Sequence, residues 1–242
     1  MSSNNHTKIA IVTGAGHRVG AEIAKTVVKL GYTLILHYYS SEKKTVKLSN
    51  SLNDTGGVTF PFKADLTDES EMKHLWGFID GIKGELKLLV NSASIMPGYK
   101  FGNLTSENFD QVIAINLRAP LLCSQEAAKR MTSGAQIINI SDIAAKLGWT
   151  GYPLYSVSRS ALDSLTRIMA KDLAPDIRVN GIAPGLVIPS EGMETSDWEL
   201  LVKKVPLMRS ASVEELTMAI KFLIENEYIT GQIITIDGGR TL

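Results

Sequence analysis

Short runs of apolar, mostly β-branched residues recur along the chain: KIAIVTG, TLILHY, GVTFPF, LKLLVNSA, AQIINIS, IRVNGIAP and QIITID. Between them lie longer stretches with apolar residues at helical spacing, such as VGAEIAKTVVKLG and YSVSRSALDSLTRIMAKDLAP. Strands that are apolar throughout are buried on both faces. Their alternation with amphipathic helices predicts a parallel sheet covered on both sides. Seven such strands, with no linker or composition shift among them, predict an α/β chain folded as one doubly wound, Rossmann-type domain over residues 1–242.

One stretch breaks the rhythm. GLVIPSEGMETSDWELLVKKVPLMRSASVEEL inserts a long mixed segment before the last helix and strand. Loops this long are commonly lids or binding loops, and ligands of doubly wound sheets sit beyond the carboxyl ends of the strands. Residues 186–211 are therefore a candidate substrate flap; a surface helix pair packed on a neighbour is the other reading.

Composition narrows the partners. Of 242 residues, 44% are hydrophobic, enough for a substantial core, and 25 basic side chains balance 25 acidic ones. Zero net charge argues against nucleic acid or an anionic membrane as the partner, and leaves a small anionic ligand allowed. The single cysteine, Cys123, excludes an intrachain disulfide and sits in the apolar stretch PLLCSQEAAKRM, as packing. The opening MSSNNHTK has no apolar signal core, and no run is long enough to span a bilayer. The expectation is a cytoplasmic protein with a small-molecule substrate, and no metal.

Chemistry enters at IAIVTGAGHRVGAEIAKTVVKLG, a strand, a glycine-bearing turn and a helix in succession. Glycines let a backbone approach a pyrophosphate, whose charge the free N–H groups of a helix start favour. Gly14, Gly16 and Gly20 are spaced one residue wider than the G-x-G-x-x-G fingerprint. A second pattern lies in YPLYSVSR. Tyr155 and Arg159, four apart, share one helix face.

Taken together these segments resemble the short-chain dehydrogenase/reductase family from Lys8 to the C-terminus. Its loop T-G-x-x-x-G-x-G is matched by Thr13, Gly14 and Gly20, with Val19 beside them. Arg18 replaces the second glycine, as in the pteridine and dihydromonapterin reductase branch. The resemblance implies a nicotinamide cofactor. The second strand ends LILHYYSSEKK, so His37, Tyr38, Ser40 and Ser41 come before any acid, and no carboxylate repels a ribose 2′-phosphate. Arg18 and the serines offer it donors, which favours NADPH; Glu42 is the one nearby acid. Asp65 and Leu66 stand where the family binds adenine. Asn91, Ser92 and Ala93 replace the start of its N-N-A-G, and Pro184 and Gly185 stand where the backbone meets the carboxamide.

In the family the tyrosine gives a proton to the substrate while a lysine four residues on binds the ribose and lowers the phenol's pKa. Here that lysine is Arg159, which keeps the charge but cannot relay a proton. Reduced turnover with intact cofactor binding is expected. Asp142, thirteen residues before Tyr155, stands where most members carry serine. A carboxyl kept protonated there would donate to a ring nitrogen as C=N is reduced. Two alternatives stay open: Ser141 takes the serine's role, or Asp142 pairs with Arg159 and stays ionised. Asn116 matches the helix asparagine that holds a water beneath the lysine. The catalytic group implied is thus Tyr155, Arg159, Asp142 and Asn116, with Ser141 facing the cofactor and Met96 and Leu186 facing the substrate.

Met96 stands where pteridine reductases carry a stacking aromatic, and Tyr99 or Trp149 is left to supply the ring. The resemblance implies an NADPH-dependent reductase of a pteridine-type substrate, and a homotetramer. A general carbonyl or 3-oxoacyl reductase, and a weakened NADPH-binding protein, are the alternatives.

Overall fold

The computed structural model describes residues 7–242; the polar opening stretch over 1–6 lies outside them. Seven strands form one parallel sheet in the order β3-β2-β1-β4-β5-β6-β7. They are β1 (Lys8–Val12), β2 (Thr33–Tyr38), β3 (Thr59–Lys63), β4 (Glu85–Asn91), β5 (Ala135–Ile140), β6 (Ile177–Pro184) and β7 (Ile233–Ile236). The pleat sends successive side chains to opposite faces. Ile9 and Ile11 join one core with Leu75 and Trp76. Ala10 and Val12 join the other with Ile23, Val27, Leu216 and Ile220. Both faces need apolar residues, which is why the strands read as unbroken runs; each fully buried aliphatic contributes roughly 1.5–3 kcal/mol. Pro61 lies inside β3, an edge strand paired only with β2, where a missing N–H is tolerated.

The helices that cover the faces are α1 (Arg18–Lys29), α2 (Glu42–Asp54), α3 (Glu69–Asp80), α4 (Ser106–Ile113), α5 (Ala119–Ala128), α6 (Ala144–Leu147), α7 (Pro153–Asp172), α8 (Thr195–Val202) and α9 (Val213–Glu225). Amphipathic α1 turns Ile23, Ala24 and Val27 inward. Reciprocal capping between Ser212 and Glu215 starts α9. Between α4 and α5 the chain does not break; residues Ala114–Arg118 form a π-helical turn. Cys123 is buried and burial pushes its thiol up to about 12, so it is a packing residue with no thiolate chemistry near neutral pH. The segment between β6 and α9 carries only the short α8 and lies beyond the carboxyl end of β6.

Candidate active site

Strand order reverses between β1 and β4, and a cleft opens beyond their carboxyl ends. Its volume is about 2190 Å³. One small ligand usually needs roughly 300–1,000 Å³, so this cleft has room for two side by side.

The turn after β1 fits a dinucleotide. Gly14 has φ +65°, and a Cβ there would lie 3.0 Å from the Ala93 backbone. A Cβ on Gly20 would collide with the Gly14 carbonyl, so the start of α1 sits tight against the turn. No side chain caps α1 and no acid lies in its first turn, leaving the helix N-terminus open to a pyrophosphate.

The residues read from sequence divide into two groups. Gly14, Arg18, Val19, Gly20, Tyr38, Ser40, Ser41, Asp65, Leu66, Ser92, Ala93, Ser141, Pro184 and Gly185 line the cleft. His37 also lines it, whereas Thr13 and Asn91 brace it from behind. Thr13 Oγ1 accepts from the backbone N–H of Ser92 (2.9 Å) and Ala93 (3.0 Å), tying the ends of β1 and β4 together. Asn91 Nδ2 donates to Asn139 Oδ1 (2.9 Å) and Ser124 Oγ (3.1 Å), away from the cleft. His37 is buried. Its Nδ1 accepts from Gly14 N–H (3.2 Å), so Nε2 carries the proton that it donates to the Ala64 carbonyl (2.9 Å). Burial lowers its pKa to about 4, so the ring is neutral. With both ring nitrogens used, His37 ties the turn after β1 to the end of β3 from the wall of the cleft. Asp65 turns one carboxylate oxygen to the Thr67 N–H and hydroxyl, an Asx turn that shapes the loop.

Arg18 has φ +46°, unusual for a residue with a Cβ, and its Nη2 donates to the Ile188 carbonyl in the segment after β6 (2.7 Å). His17 and Lys44, with Lys43, are further basic residues lining the cleft. Sequence reading passed over His17 and Lys44 because their common partner, Glu191, is 174 residues from His17.

Reaction chemistry gathers on the other side. Tyr155 enters on the first turn of α7 and Asp142 on the turn leaving β5. Tyr155 Oη donates to Asp142 Oδ2 (2.9 Å), and Asp142 Oδ1 accepts from the Ala144 N–H (2.7 Å). With both oxygens so engaged, the pairing of Asp142 with Arg159 does not form; Arg159 donates from Nη2 to Ser94 Oγ. The buried Ser141 hydroxyl has no hydrogen-bond partner among the described residues, and it is Asp142 that meets the phenol.

Burial raises the Asp142 pKa against the Ala144 N–H, Tyr155 and Arg159, which lower it. Burial also pushes Tyr155 up to about 12, outweighing the Arg159 charge that opposes it. The arginine was expected to bring the phenol toward working pH; desolvation wins instead. Arg159 is only 3% exposed, and its Cζ stacks 4.9 Å from the Tyr155 ring centroid, beside the ring more than at the hydroxyl.

Asn116, at the centre of the π-turn, is fully buried and does not line the cleft. Its Oδ1 accepts from Ile95 N–H and its Nδ2 donates to the Ile95 carbonyl, each 2.9 Å, and Nδ2 donates again to Ser158 Oγ (3.1 Å). Ser158 in turn donates to the Tyr155 carbonyl (2.7 Å). Every donor and acceptor direction of the amide but one is thus used, and Asn116 positions the Ser94–Ile95 loop against α7. Ser94 itself was missed. It stands where the family's N-N-A-G has its glycine, which was the available signal.

At the substrate end Met96 and Leu186 line the cleft with Trp149, Tyr152, Met193 and Trp198. Trp149 lies 6.3 Å from the Tyr155 ring, tilted by 31°. Trp149 therefore brings an indole to the site where Met96 lacks a ring. Tyr99 does not line the cleft; its backbone N–H donates to the Gly151 carbonyl (2.7 Å). Among the described residues no group of three or more His, Cys, Asp or Glu side chains could hold a metal ion, and no helix is long and apolar enough to cross a membrane.

Residues 14–241 match the family described as Enoyl-(Acyl carrier protein) reductase. The uncharacterized oxidoreductase YgfF of Escherichia coli (strain K12) is 32% identical, over 96% of this chain and 99% of that one. The 3-oxoacyl-[acyl-carrier-protein] reductase FabG of Staphylococcus aureus is 31% identical, over 96% and 98%. Among solved structures, FolM alternative dihydrofolate reductase 1 from Brucella suis, in complex with NADP, superposes with TM-score 0.90 at 33% identity, covering 100% of this chain and 96% of that one. With the reversed strand order, the glycine turn and the Tyr155 helix in place, the chain belongs to the short-chain dehydrogenase/reductase family of oxidoreductases.

Proposed function

We propose that this oxidoreductase uses NADPH to reduce a pteridine-type substrate, a dihydromonapterin or related dihydropterin or dihydrofolate. The observation that carries the reading is the 2.9 Å hydrogen bond between the Tyr155 phenol and the Asp142 carboxyl. Both groups hold their protons more tightly than usual because they are buried. Supporting it are the chain's likeness to FolM and the Trp149 indole beside Tyr155. Supporting NADPH over NADH are the end of β2, free of acid until Glu42, and the Lys44 and His17 side chains facing that end of the cleft.

When bound, the reduced nicotinamide supplies a hydride. The residues then have one task left, to deliver a proton to the atom that becomes electron-rich. A protonated Asp142 carboxyl donates to a ring nitrogen more readily than a phenol with pKa near 12, and Tyr155 holds that carboxyl by its Oδ2. Arg159, whose charge is permanent, stabilises negative charge left on either group. Trp149 offers a face to a flat heterocycle. Apolar side chains left exposed on α4, α5 and α7, among them Phe109, Leu121, Val157 and Ile168, support assembly as a homotetramer.

A 3-oxoacyl or general carbonyl reductase is the second reading, favoured by the likeness to FabG and by Met96. NADPH oxidation measured with 7,8-dihydromonapterin, dihydrobiopterin, dihydrofolate and an acetoacetyl thioester separates the two. The dihydropterins should turn over at least about tenfold faster by kcat/KM, the scale of one positioned proton donor. Faster reduction of the thioester overturns the pteridine reading.

A further inference from the structure

At the end of the cleft away from Tyr155, the flap folds back over the turn after β1. One carboxylate oxygen of Glu191, Oε1, accepts from Lys44 Nζ at 2.8 Å and from His17 Nε2 at 2.9 Å. Three residues earlier the Ile188 carbonyl accepts from Arg18. One short flap segment thus engages basic side chains from two separate elements, the β1–α1 turn and the start of α2. All of them, with Ser40 and Ser41, line the cleft beside the end of β2. A phosphate on the adenosine ribose of a dinucleotide enters at the end of that strand. Lys44 and Glu191 are both well exposed, at 59% and 73% of their side chains, so the bond is a solvent-side clasp with room to open.

We propose that Glu191 is a built-in competitor of the cofactor's 2′-phosphate: it occupies Lys44 and His17 in the free protein, and the phosphate displaces it, releasing the flap segment that carries it. The inference rests on the NADPH reading above. Hydrogen bonds from His17 and Lys44, with the Lys44 charge, hold Glu191 ionised, at about 2. A carboxylate brings one negative charge to the pair, whereas a phosphate monoester brings nearly two and three acceptor oxygens. Phosphate therefore outcompetes Glu191, while a bare ribose hydroxyl does not. Glu42, at the start of α2, adds repulsion of the same sign for either anion and does not distinguish them. Glu191 then sets how much of the phosphate's binding is spent on opening the clasp.

Binding constants for NADPH, NADH, 2′,5′-ADP and 5′-AMP, measured calorimetrically on wild type and Glu191→Gln, test this. Glu191→Gln should tighten NADPH and 2′,5′-ADP by about fivefold, the scale of one exposed ion pair. NADH and 5′-AMP should change less than about twofold. Lys44→Ala should weaken NADPH and cancel the gain from Glu191→Gln in the double variant. Amide exchange over residues 188–193 should rise on adding 2′,5′-ADP to wild type and not on adding 5′-AMP. Equal weakening of all four ligands in Glu191→Gln would make Glu191 a roof over any bound nucleotide, and the inference would fall. An unchanged NADPH-to-NADH ratio would also sink it. Wild type that binds 2′,5′-ADP no better than 5′-AMP would remove the NADPH reading itself.

Discussion

Two acids face the same cleft and meet opposite fates. Asp142 lies at the reaction end, buried, bonded to a phenol and a backbone N–H, and its pKa is raised. Glu191 lies at the adenosine end, exposed between Lys44 and His17, and its pKa falls to about 2. What separates them is solvent. Removing water from a carboxylate disfavours its charged form by more than a stacked guanidinium returns, whereas a cation in contact across water-exposed space has no such penalty to overcome. Burial therefore shifts the acid at one end of the cleft toward its protonated form, and ion contacts shift the acid at the other toward its charged form.

The largest test of that contrast is Tyr155→Phe. It removes the donor that holds Asp142 Oδ2 and leaves the adenosine end untouched. It should lower kcat/KM by about 10²–10⁴, the usual worth of a positioned acid. Calorimetric NADPH binding should stay within about twofold; a parallel loss of binding would show that the two ends are not independent.

His37→Gln breaks the contrast from behind, because His37 joins the turn of β1 to the end of β3. Its folded pKa of about 4 lies below the ordinary 6.5. A depressed value means that the folded state favours the neutral ring. The stability this gives is complete above pH 6.5 and is lost as pH falls toward 4. The shift corresponds to about 3 kcal/mol. Urea unfolding should show wild type losing stability across that window and the glutamine variant losing less, the difference between the two curves reporting the ring.

Asp142→Asn sharpens the comparison through pH. In wild type, kcat/KM should fall as pH rises through the raised pKa of Asp142, since the ionised carboxylate has no proton to give. The amide variant should lose a factor comparable to that of Tyr155→Phe, about 10²–10⁴ at low pH, because the donor itself is gone, and show no such fall. A wild-type profile flat from pH 5 to 8 would place the proton elsewhere.

Arg159→Lys asks whether the buried cation tempers the site. The guanidinium is tied to Ser94 and stacks on the Tyr155 ring. A shorter ammonium, free of the stack, should raise kcat by about threefold to tenfold. The smallest effect is that of salt. Raising ionic strength from about 0.05 to 0.5 M shortens the screening length severalfold, so it should loosen the Glu191 clasp, read as amide exchange at 188–193, and leave the Tyr155 pair unaffected.

Much of this was legible in the chain. Seven apolar runs became seven parallel strands, because burial on both faces leaves a one-dimensional mark. Tyr155 and Asp142 could be paired from sequence, since each sits at a fixed offset from an element end. Thr13 and Asn91 were placed on the correct loops, but their side chains bond to the sheet and not into the cleft, while His37 does both. Being on a cofactor loop does not tell whether a side chain points into the cleft or back into the sheet. Asn116 was expected to hold a water, yet its amide is spent on Ile95 and Ser158.

Local pattern, then, determined the elements and their parallel arrangement, which depend on periodicity, while the resemblance to a known family pointed to the groups near the reaction. Only the tertiary structure decided which acid holds its proton more tightly and which more loosely, because ionisation depends on water excluded by residues far away in the chain. The same holds for the meeting of Glu191 with His17 and of Arg159 with Ser94. These contacts join segments 174 and 65 residues apart, and nothing in either segment alone carries their mark.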